Sequence, residues 1–528
     1  MDHGDPILLI LALFIVGALL SYVARWLRIA TPILLLIGGV VVGFALNWAF
    51  VLPPIELEPD LVFLLFLPPI LFAAAYFTPI RDFRANRRAI GLLAIGLVLF
   101  TTLAVGIVAS AIIPGMTLVV GLTLGAIVAP PDAVAATAVF QRLGVPRKVV
   151  TILEGESLIN DASALIAYRV ASGVAMGVIT FSVVDATVQF VVLGVGGVVV
   201  GLAAGAIVTR ALFRTADPVL EIIVSLLAPI VSYVVAEQLG VSGVLAVVTA
   251  GLITGRKAAR AFSPDARLLG LGAWQVVIWT INTFVFMLIG LQLPSIIDGL
   301  ADYSSGELLA YGAIISATVI VTRFLWVFPA TYVPRWLSAK ARMADPPPPP
   351  QAVVIVSWAG MRGVVSLAAA LALVPDFPQR ELILYLTFCV ILATLVGQGL
   401  TLPWLIRTLG VTAANDGFEA ELAHAQLAAF EAAVQKLDDL REDYPDHLPL
   451  IDQLRADLEH EAGHVVLSNG ETPDEAEQEA LDHRTIRNAL LLAQREAVIR
   501  LRDDAVINDE TLRRIERDLD LEALHSGV

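Results

Sequence analysis

Long apolar runs alternate with short polar loops over the first four fifths of this chain. Thirteen runs can be delimited, at residues 7–24, 31–50, 61–77, 90–113, 116–140, 152–178, 186–213, 220–239, 241–254, 268–291, 307–330, 351–373 and 382–406. Most are close to the roughly 20 residues that an α-helix needs to cross a bilayer. The pattern predicts an all-α polytopic membrane protein with about thirteen transmembrane helices.

Two of these runs are interrupted near their centres. The fifth contains Pro130 and Pro131, and the twelfth contains Gly360 and Gly363. Proline removes a backbone donor and clashes with the preceding turn, so a continuous helix is not expected there. Interrupted spans at corresponding positions of two halves indicate a transporter built from inverted repeats. We therefore expect two inverted six-helix repeats with crossed broken helices, with simple kinks as the alternative.

Ionisable and other polar residues occur within the apolar runs. Asp132 lies at the first interruption and Arg362 at the second. The sixth run contains Glu154, Glu156, Ser157, Asn160 and Asp161. A charge at the bilayer centre costs about 2.5–3.5 kcal/mol by insertion scales, so such residues mark functional sites. At 1.5 Å per residue, Asp161 is expected about 15 Å deep, near the midplane.

The chemistry of these side chains suits two small cations. Carboxylate and hydroxyl oxygens are ligands for hard metal ions such as Na⁺. A buried carboxylate also holds a proton more tightly than an exposed one. A carboxylate that holds either a metal ion or a proton, but not both, is sufficient to exchange one for the other.

The basic residues indicate the orientation of the chain in the membrane. They follow the first run and then every second run, whereas Arg380 is the only base in the alternate loops. Cytoplasmic loops carry the excess of Lys and Arg, so the N-terminus is expected outside and the C-terminus in the cytoplasm. The expected location is the plasma (inner) membrane.

Net charge divides the chain at the end of the last run. The whole chain has a net charge of −15. Residues 413–528 contain 28 acids and 11 bases and therefore account for the negative charge. We therefore expect a transmembrane domain at 1–412 and an acidic, helical cytoplasmic domain at 413–528. An acidic domain argues against binding to nucleic acid or to anionic lipid.

Four motifs, in order, resemble the monovalent cation:proton antiporter-1 family of Na⁺/H⁺ exchangers. They are FLPPILFAAAYFTPIRDFR, APPDAVAATAVFQRLGVPRKVVTILEGESLINDASALIAYR, SWAGMRGVVSLAAALAL and VGQGLTLPWLI. The resemblance covers roughly residues 5–410 and fits a bacterial member. It implies that Asp161 is the shared Na⁺/H⁺ site, with Asn160, Ser157 and Asp132 contributing. It also implies a structural ion pair between Glu156 and Arg362, and a homodimer.

The resemblance predicts a secondary antiporter with no cofactor, in which Asp161 exchanges one Na⁺ for one H⁺ by alternating access. Because position 160 is Asn rather than a second acid, we expect electroneutral exchange. Li⁺ and K⁺ are alternative substrates, a K⁺/H⁺ antiporter is an alternative function, and a cation channel is a weaker one. Ala73 replaces an acid that several relatives carry, which leaves the selectivity open. Asp132 alternatively only satisfies the broken helix, and Glu154 alternatively only faces water.

The segment HEAGH, His460–His464, matches the H-E-x-x-H pattern of zinc proteases. A match of five residues is weak, and a protease needs a third ligand and a substrate cleft. The default interpretation is a solvated helix face, and we do not expect an enzyme. The single cysteine, Cys389, excludes an intrachain disulfide.

Overall fold

The structure is a computed structural model that describes residues 5–27, 29–49, 62–178, 182–215, 217–300, 303–338, 342–343, 345–411, 418–468 and 473–504, with single residues and pairs between 506 and 522. Every regular element in these ranges is a helix. The chain forms two compact units, Met1–Ala413 and Ala414–Val528.

The first part of the larger unit runs from α1 to α9. The helices are α1 (Asp5–Leu27), α2 (Thr31–Ala49), α3 (Leu67–Phe77), α4 (Ile80–Ala85), α5 (Arg87–Gly91), α6 (Val98–Ile112), α7 (Leu118–Val128), α8 (Val134–Leu143) and α9 (Arg147–Ala175). Short π-helical segments, Val62–Phe66 and Leu92–Leu97, precede α3 and α6 without a gap. Thus α7 and α8 are the two halves of the fifth predicted span.

The second part runs from α10 to α19. The helices are α10 (Val183–Leu212), α11 (Pro218–Gln238), α12 (Gly243–Ala261), α13 (Pro264–Leu291), α14 (Leu293–Asp298), α15 (Ser305–Leu337), α16 (Pro350–Trp358), α17 (Val364–Leu371), α18 (Arg380–Ile391) and α19 (Gly399–Leu409). A π-helical segment, Leu392–Gln398, joins α18 to α19. Here α16 and α17 are the two halves of the twelfth predicted span.

Helices occupy most of the described residues of each of the thirteen predicted runs, and the fifth and twelfth runs are interrupted. Six helical stretches are long and apolar enough to cross a membrane: 87–112, 187–212, 218–238, 264–297, 305–337 and 380–409. α9 has 29 residues but is not among these six stretches, because the polar residues of the candidate site lower its mean hydropathy. The all-helical membrane fold is thus as expected, while the number of crossings and the inverted repeats stay predictions.

Small residues allow the helices of the larger unit to pack closely. Gly39 of α2 faces the backbone oxygen of Met287 on α13, and Gly290 of α13 faces that of Leu36, so that a Cβ at either glycine would overlap a carbonyl. Close backbone approach at small residues is the usual basis of helix association in membranes. This packing holds α13 against α2, beside the cavity described below.

The smaller unit contains three long helices, α20 (Phe418–Asp443), α21 (Leu448–Ser468) and α22 (Pro473–Asp503). Ion pairs join α20 to α21, with Arg455 contacting Asp438 at 3.0 Å and Arg441 contacting Asp452 at 2.9 Å. These side chains are largely exposed, so each pair contributes at most about 1 kcal/mol. Location of this unit in the cytoplasm stays a prediction.

Candidate functional site

Two helix interruptions cross each other in the interior of the larger unit. Residues 129–133 separate α7 from α8, and residues 359–363 separate α16 from α17; none of these ten residues is helical. The backbone N–H of Asp132 donates to the carbonyl oxygen of Met361 at 2.6 Å. Non-helical backbone at membrane depth requires such partners, because no water is present in the hydrocarbon to satisfy it.

Gly363 permits this close crossing. A Cβ at position 363 would overlap the carboxylate oxygen Oδ2 of Asp132. Only glycine lets the second interruption approach the first so closely. The glycine that the sequence identified as a helix breaker is therefore also a contact point between the two interruptions.

Helix α9 supports the first interruption with side chains from the predicted site. Asn160 donates from Nδ2 to the carbonyl oxygen of Pro131 at 2.8 Å, and the hydroxyl of Ser157 accepts from the N–H of Ala133 at 3.4 Å. Asp132 itself accepts the N–H of Val134 at 2.8 Å and so caps α8. These contacts satisfy backbone groups that the interruption leaves without helical partners.

A cavity of about 630 Å³ lies beside the first interruption. Its wall includes Asp132, Ser157 and Asp161 together with Pro130 and Gly363. Asp161 is 6% exposed, so its carboxylate reaches this cavity from an otherwise buried position. The structure thus brings together the acid, the hydroxyl and the second acid that the sequence nominated.

Four buried polar atoms around this region have no hydrogen-bond partner among the described residues. They are Oδ1 of Asn160, Oγ of Ser366, Oδ1 of Asn282 and Nε1 of Trp279. The last three residues line the cavity. Buried polar groups are normally paired, so these atoms indicate that the region receives water or an ion. Sequence reasoning missed Asn282 and Ser366, whose only signal was a polar residue in an apolar run.

The expected ion pair between Glu156 and Arg362 is wrong. Arg362 is fully buried, but it donates to backbone carbonyls: from Nε to Val128 at 3.0 Å, from Nη2 to Ala129 at 3.5 Å, and from Nη1 to Gly360. These oxygens lie at or just beyond the C-terminal ends of α7 and α16. A guanidinium group offers five donors and therefore satisfies several unpaired carbonyls at once.

Glu156 pairs with Arg323 of α15 instead. The two carboxylate oxygens accept from Nη1 and Nη2 at 2.6 and 2.7 Å, and both side chains are fully buried. Nε of Arg323 also donates to the carbonyl oxygen of Val356 on α16 at 3.1 Å. Sequence reasoning missed Arg323, although it is a base inside the eleventh predicted span and, by the argument applied to Arg362, required a partner.

Two residues whose role was left open line the same cavity. Ala73 is in its wall, where several members of the resembled family place an acid, and so is the partly buried Glu154.

At the start of α9, Lys148 contacts Asp345 at 2.7 Å, and Arg335 also pairs with Asp345. Partial burial acts to raise the pKa of Asp345, but the two bases outweigh it and lower that pKa below its ordinary value.

The HEAGH segment lies on α21. The side chains of Glu461 and His464 lie outside the described residues. Among the described residues, no group of three or more His, Cys, Asp or Glu side chains is arranged to hold a metal ion.

Comparison with known families matches most of the larger unit. The sequence model of the family described as "Sodium/hydrogen exchanger, transmembrane" matches residues 10–408. A protein of Mycobacterium tuberculosis described as an uncharacterized Na⁺/H⁺ exchanger is 32% identical, over 98% of this chain and 95% of that protein. An Escherichia coli protein with the same description is 31% identical, over 97% of both chains.

Solved structures provide a similar fold. The sodium proton antiporter MjNhaP1 from Methanocaldococcus jannaschii, at pH 8, superposes with a TM-score of 0.62 and 20% sequence identity. The match covers 78% of this chain and 99% of that protein. At this identity the likeness establishes the fold, and the helical architecture is shared along almost the whole of the solved chain.

Proposed function

The chain belongs to the transmembrane sodium/hydrogen exchanger family, whose members are transporters, and from that premise we propose that it exchanges Na⁺ for H⁺ across the plasma membrane. Asp161 is the shared site of the two ions, and Na⁺ is cargo rather than a resident metal. The observation that carries the proposal is the joint exposure of Asp161, Asp132 and Ser157 to one cavity at the crossing of two interrupted helices.

Exchange follows from competition for the Asp161 carboxylate. Na⁺ prefers oxygen ligands, which Asp161 and Ser157 of α9 and Asp132 of the first interruption offer to one cavity. Asn160 holds the first interruption through its amide nitrogen and leaves Oδ1 as a further oxygen. A proton on Asp161 removes the charge that attracts the cation, so the two ions exclude each other. The apparent KM for Na⁺ is therefore expected to rise as the pH falls.

The Asn160–Asp161 pair supports a one-for-one exchange. Position 160 is Asn, so no second acid stands beside Asp161 on α9. A single carboxyl group releases one proton for each monovalent cation that it binds. Electroneutral transport is the consequence.

Alternating access is proposed around this fixed site, with Na⁺ as the principal cation. Li⁺ and K⁺ are the alternatives for the same ligands, and Ala73 contributes no oxygen that would select among them. A K⁺/H⁺ antiporter with the same residues is therefore the second candidate. A cation channel requires a continuous pore, and transport of Na⁺ against its own gradient, driven by a proton gradient, excludes it.

We further propose the arrangement of the chain in the cell. The N-terminus lies outside, and residues 413–528 form a cytoplasmic domain, because the basic loops follow every second span. The functional unit is a homodimer, as the family resemblance implies. Cross-linking of the purified protein in lipid, and accessibility labelling at either end of the chain, test these two statements separately.

The direct test of the site is Asp161→Asn in purified protein reconstituted into proteoliposomes. The amide preserves size and removes the exchangeable carboxyl group, so Na⁺-driven proton flux is expected to disappear while the protein still folds. Asp376→Asn, at an exposed acid between α17 and α18, is the matched control and retains full activity. Na⁺-driven flux in the Asp161→Asn protein would show that the assignment is mistaken.

The stoichiometry is tested by clamping the membrane potential. One Na⁺ for one H⁺ moves no net charge, so the exchange rate is expected to stay the same when valinomycin and equal K⁺ on both sides hold the potential at zero. A marked acceleration, or a steady transport current on a solid-supported membrane, would mean that more than one proton moves per cation.

A further inference from the structure

A second cavity, of about 540 Å³, lies on another side of α8 from the cavity beside the first interruption, which we call the ion cavity. Three arginines from three helices line it: Arg25 in the last turn of α1, Arg142 in the last turn of α8 and Arg407 in the last turn of α19. Among the described residues in its wall there is no Asp or Glu. We propose that this cavity binds the phosphate headgroup of an anionic membrane lipid.

Interaction with the C-terminus of its own helix does not explain why all three arginines lie around one cavity. A base in the last turn interacts favourably with the partial negative charge of a helix C-terminus, and each of the three does so. That effect does not require three such helix ends to meet around one cavity. Arg25 and Arg407, moreover, form no ion pair with any described residue. Their charges are thus available to an anion.

Guanidinium groups are suited to phosphate. Each presents a planar fork of N–H donors that matches two oxygens of a phosphate group. The first residue of α2, Thr31, also lines the cavity. The N-terminus of a helix carries partial positive charge and so adds to the attraction for an anion, without being a site by itself. The cavity therefore combines three full positive charges, which outweigh the partial negative charges of their own helix ends, with the partial positive charge at the start of α2.

The surroundings of the cavity favour a lipid over a free anion. Leu27 and Leu400 belong to its wall and are each 47% exposed, so apolar surface continues from the arginines towards the outside of the protein. Trp26 and Trp404, next to Arg25 and one turn before Arg407, are 77% and 65% exposed. Exposed tryptophans collect at the level of lipid headgroups. A ligand with a phosphate group and acyl chains fits this combination.

The position of the cavity connects it to the transport site. Ala138 of α8 lines both cavities, and α8 begins at Val134, whose N–H donates to Asp132. A lipid phosphate bound to Arg142 fixes the far end of the helix that Asp132 caps, and joins it to α1 and α19. Lipid binding is thus expected to stabilise the arrangement of these helices, whichever cation the protein carries.

The test measures binding to the purified, delipidated full-length chain in detergent. Phosphatidylglycerol, phosphatidylcholine and inorganic phosphate are each titrated while the midpoint of thermal unfolding is followed. Phosphatidylglycerol alone is expected to raise the midpoint. In the triple variant Arg25→Gln, Arg142→Gln, Arg407→Gln we expect about a 100-fold loss of affinity, at roughly 1 kcal/mol per base.

Two variants serve as controls. The triple variant Arg210→Gln, Arg256→Gln, Arg260→Gln removes three exposed bases of α10 and α12 outside the cavity and is expected to bind as the parent does. Replacement of the three cavity arginines by Lys keeps the charge but not the fork of donors, and is expected to lose less affinity than the Gln variant, which separates lost binding from lost folding.

The outcomes are distinct. An equal loss in the α10 and α12 variant, or undiminished phosphatidylglycerol binding in the cavity variant, overturns the proposal, because the effect is then one of overall charge. A shift of the same size with inorganic phosphate overturns the assignment to a lipid. Equal stabilisation by phosphatidylcholine overturns the role of the arginines.

Discussion

The two helix interruptions have the same backbone design and opposite chemistry. Each consists of five non-helical residues between two half-helices, and they contact each other through Asp132 and Met361. The first carries an acid, Asp132, which accepts the N–H of Val134 at the start of α8. The second carries a base, Arg362, which donates to carbonyls at the ends of α7 and α16. The sign of each charge matches the backbone groups that it satisfies.

The interruptions also differ in their access to the ion cavity. Asp132 is partly exposed and lines the cavity, whereas Arg362 is fully buried and is absent from the described residues of its wall. Arg323, which supports the second interruption through Val356, is fully buried as well. The buried bases therefore satisfy backbone groups at the crossing, whereas Asp132 faces the cavity. Changes at the second interruption should therefore affect stability, and changes at the first should affect transport.

The largest effect on stability is expected from Arg323→Ala. It strands the buried carboxylate of Glu156 and removes the donor to Val356, which costs about 3–5 kcal/mol. The double variant Glu156→Ala, Arg323→Ala leaves no charge stranded and is expected to be more stable than Arg323→Ala alone. Denaturant or thermal unfolding in detergent measures the free energies.

A second cycle, Glu156→Ala with Arg362→Ala, is the matched comparison. Since Arg362 donates to carbonyls rather than to Glu156, the coupling energy of this cycle is expected to be smaller than that of Glu156 with Arg323. A coupling energy as large as that of Glu156 with Arg323 would contradict the pairing described here and restore Arg362 as the partner.

An intermediate effect is expected from Gly363→Ala. The added Cβ overlaps the Asp132 carboxylate and pushes the interruptions apart, at about 1–3 kcal/mol for an overpacked site. Transport is expected to fall with stability, because both interruptions are displaced. Gly397→Ala is the control, since a Cβ there meets no atom within 4 Å. Equal unfolding midpoints for the two variants would show that the crossing has room for a methyl group.

The smallest effect on stability is expected from Asp132→Asn. The amide oxygen still accepts the N–H of Val134, so the cap on α8 survives and stability changes by less than about 1 kcal/mol. Na⁺ affinity is nevertheless expected to fall, because the charge facing the cavity is lost. Asp132→Ala removes both functions and is expected to cost about 0.5–2 kcal/mol more. Unchanged apparent KM for Na⁺ in Asp132→Asn would mean that Asp132 only caps the helix.

Much of this fold could be predicted because its signals are local. Apolar runs of membrane-crossing length specify helices wherever they occur, since backbone groups in hydrocarbon must bond within their own segment. Pro130, Pro131, Gly360 and Gly363 interrupt helices by their own covalent structure. Asp161, Asn160 and Ser157 were identified by their position within one run, and the family resemblance assigned their roles.

Only the tertiary structure decided which side chains meet across the crossing. The sequence contains two buried bases, Arg323 and Arg362, and the choice between them for Glu156 depends on how α9, α15 and α16 pack. Spacing along a helix fixes the face of a residue, but not the helix that the face contacts. Asn282 and Ser366 also line the cavity because of how the helices pack, which their positions in the sequence do not determine. In the structure Arg323 pairs with Glu156, and Arg362 donates to backbone carbonyls.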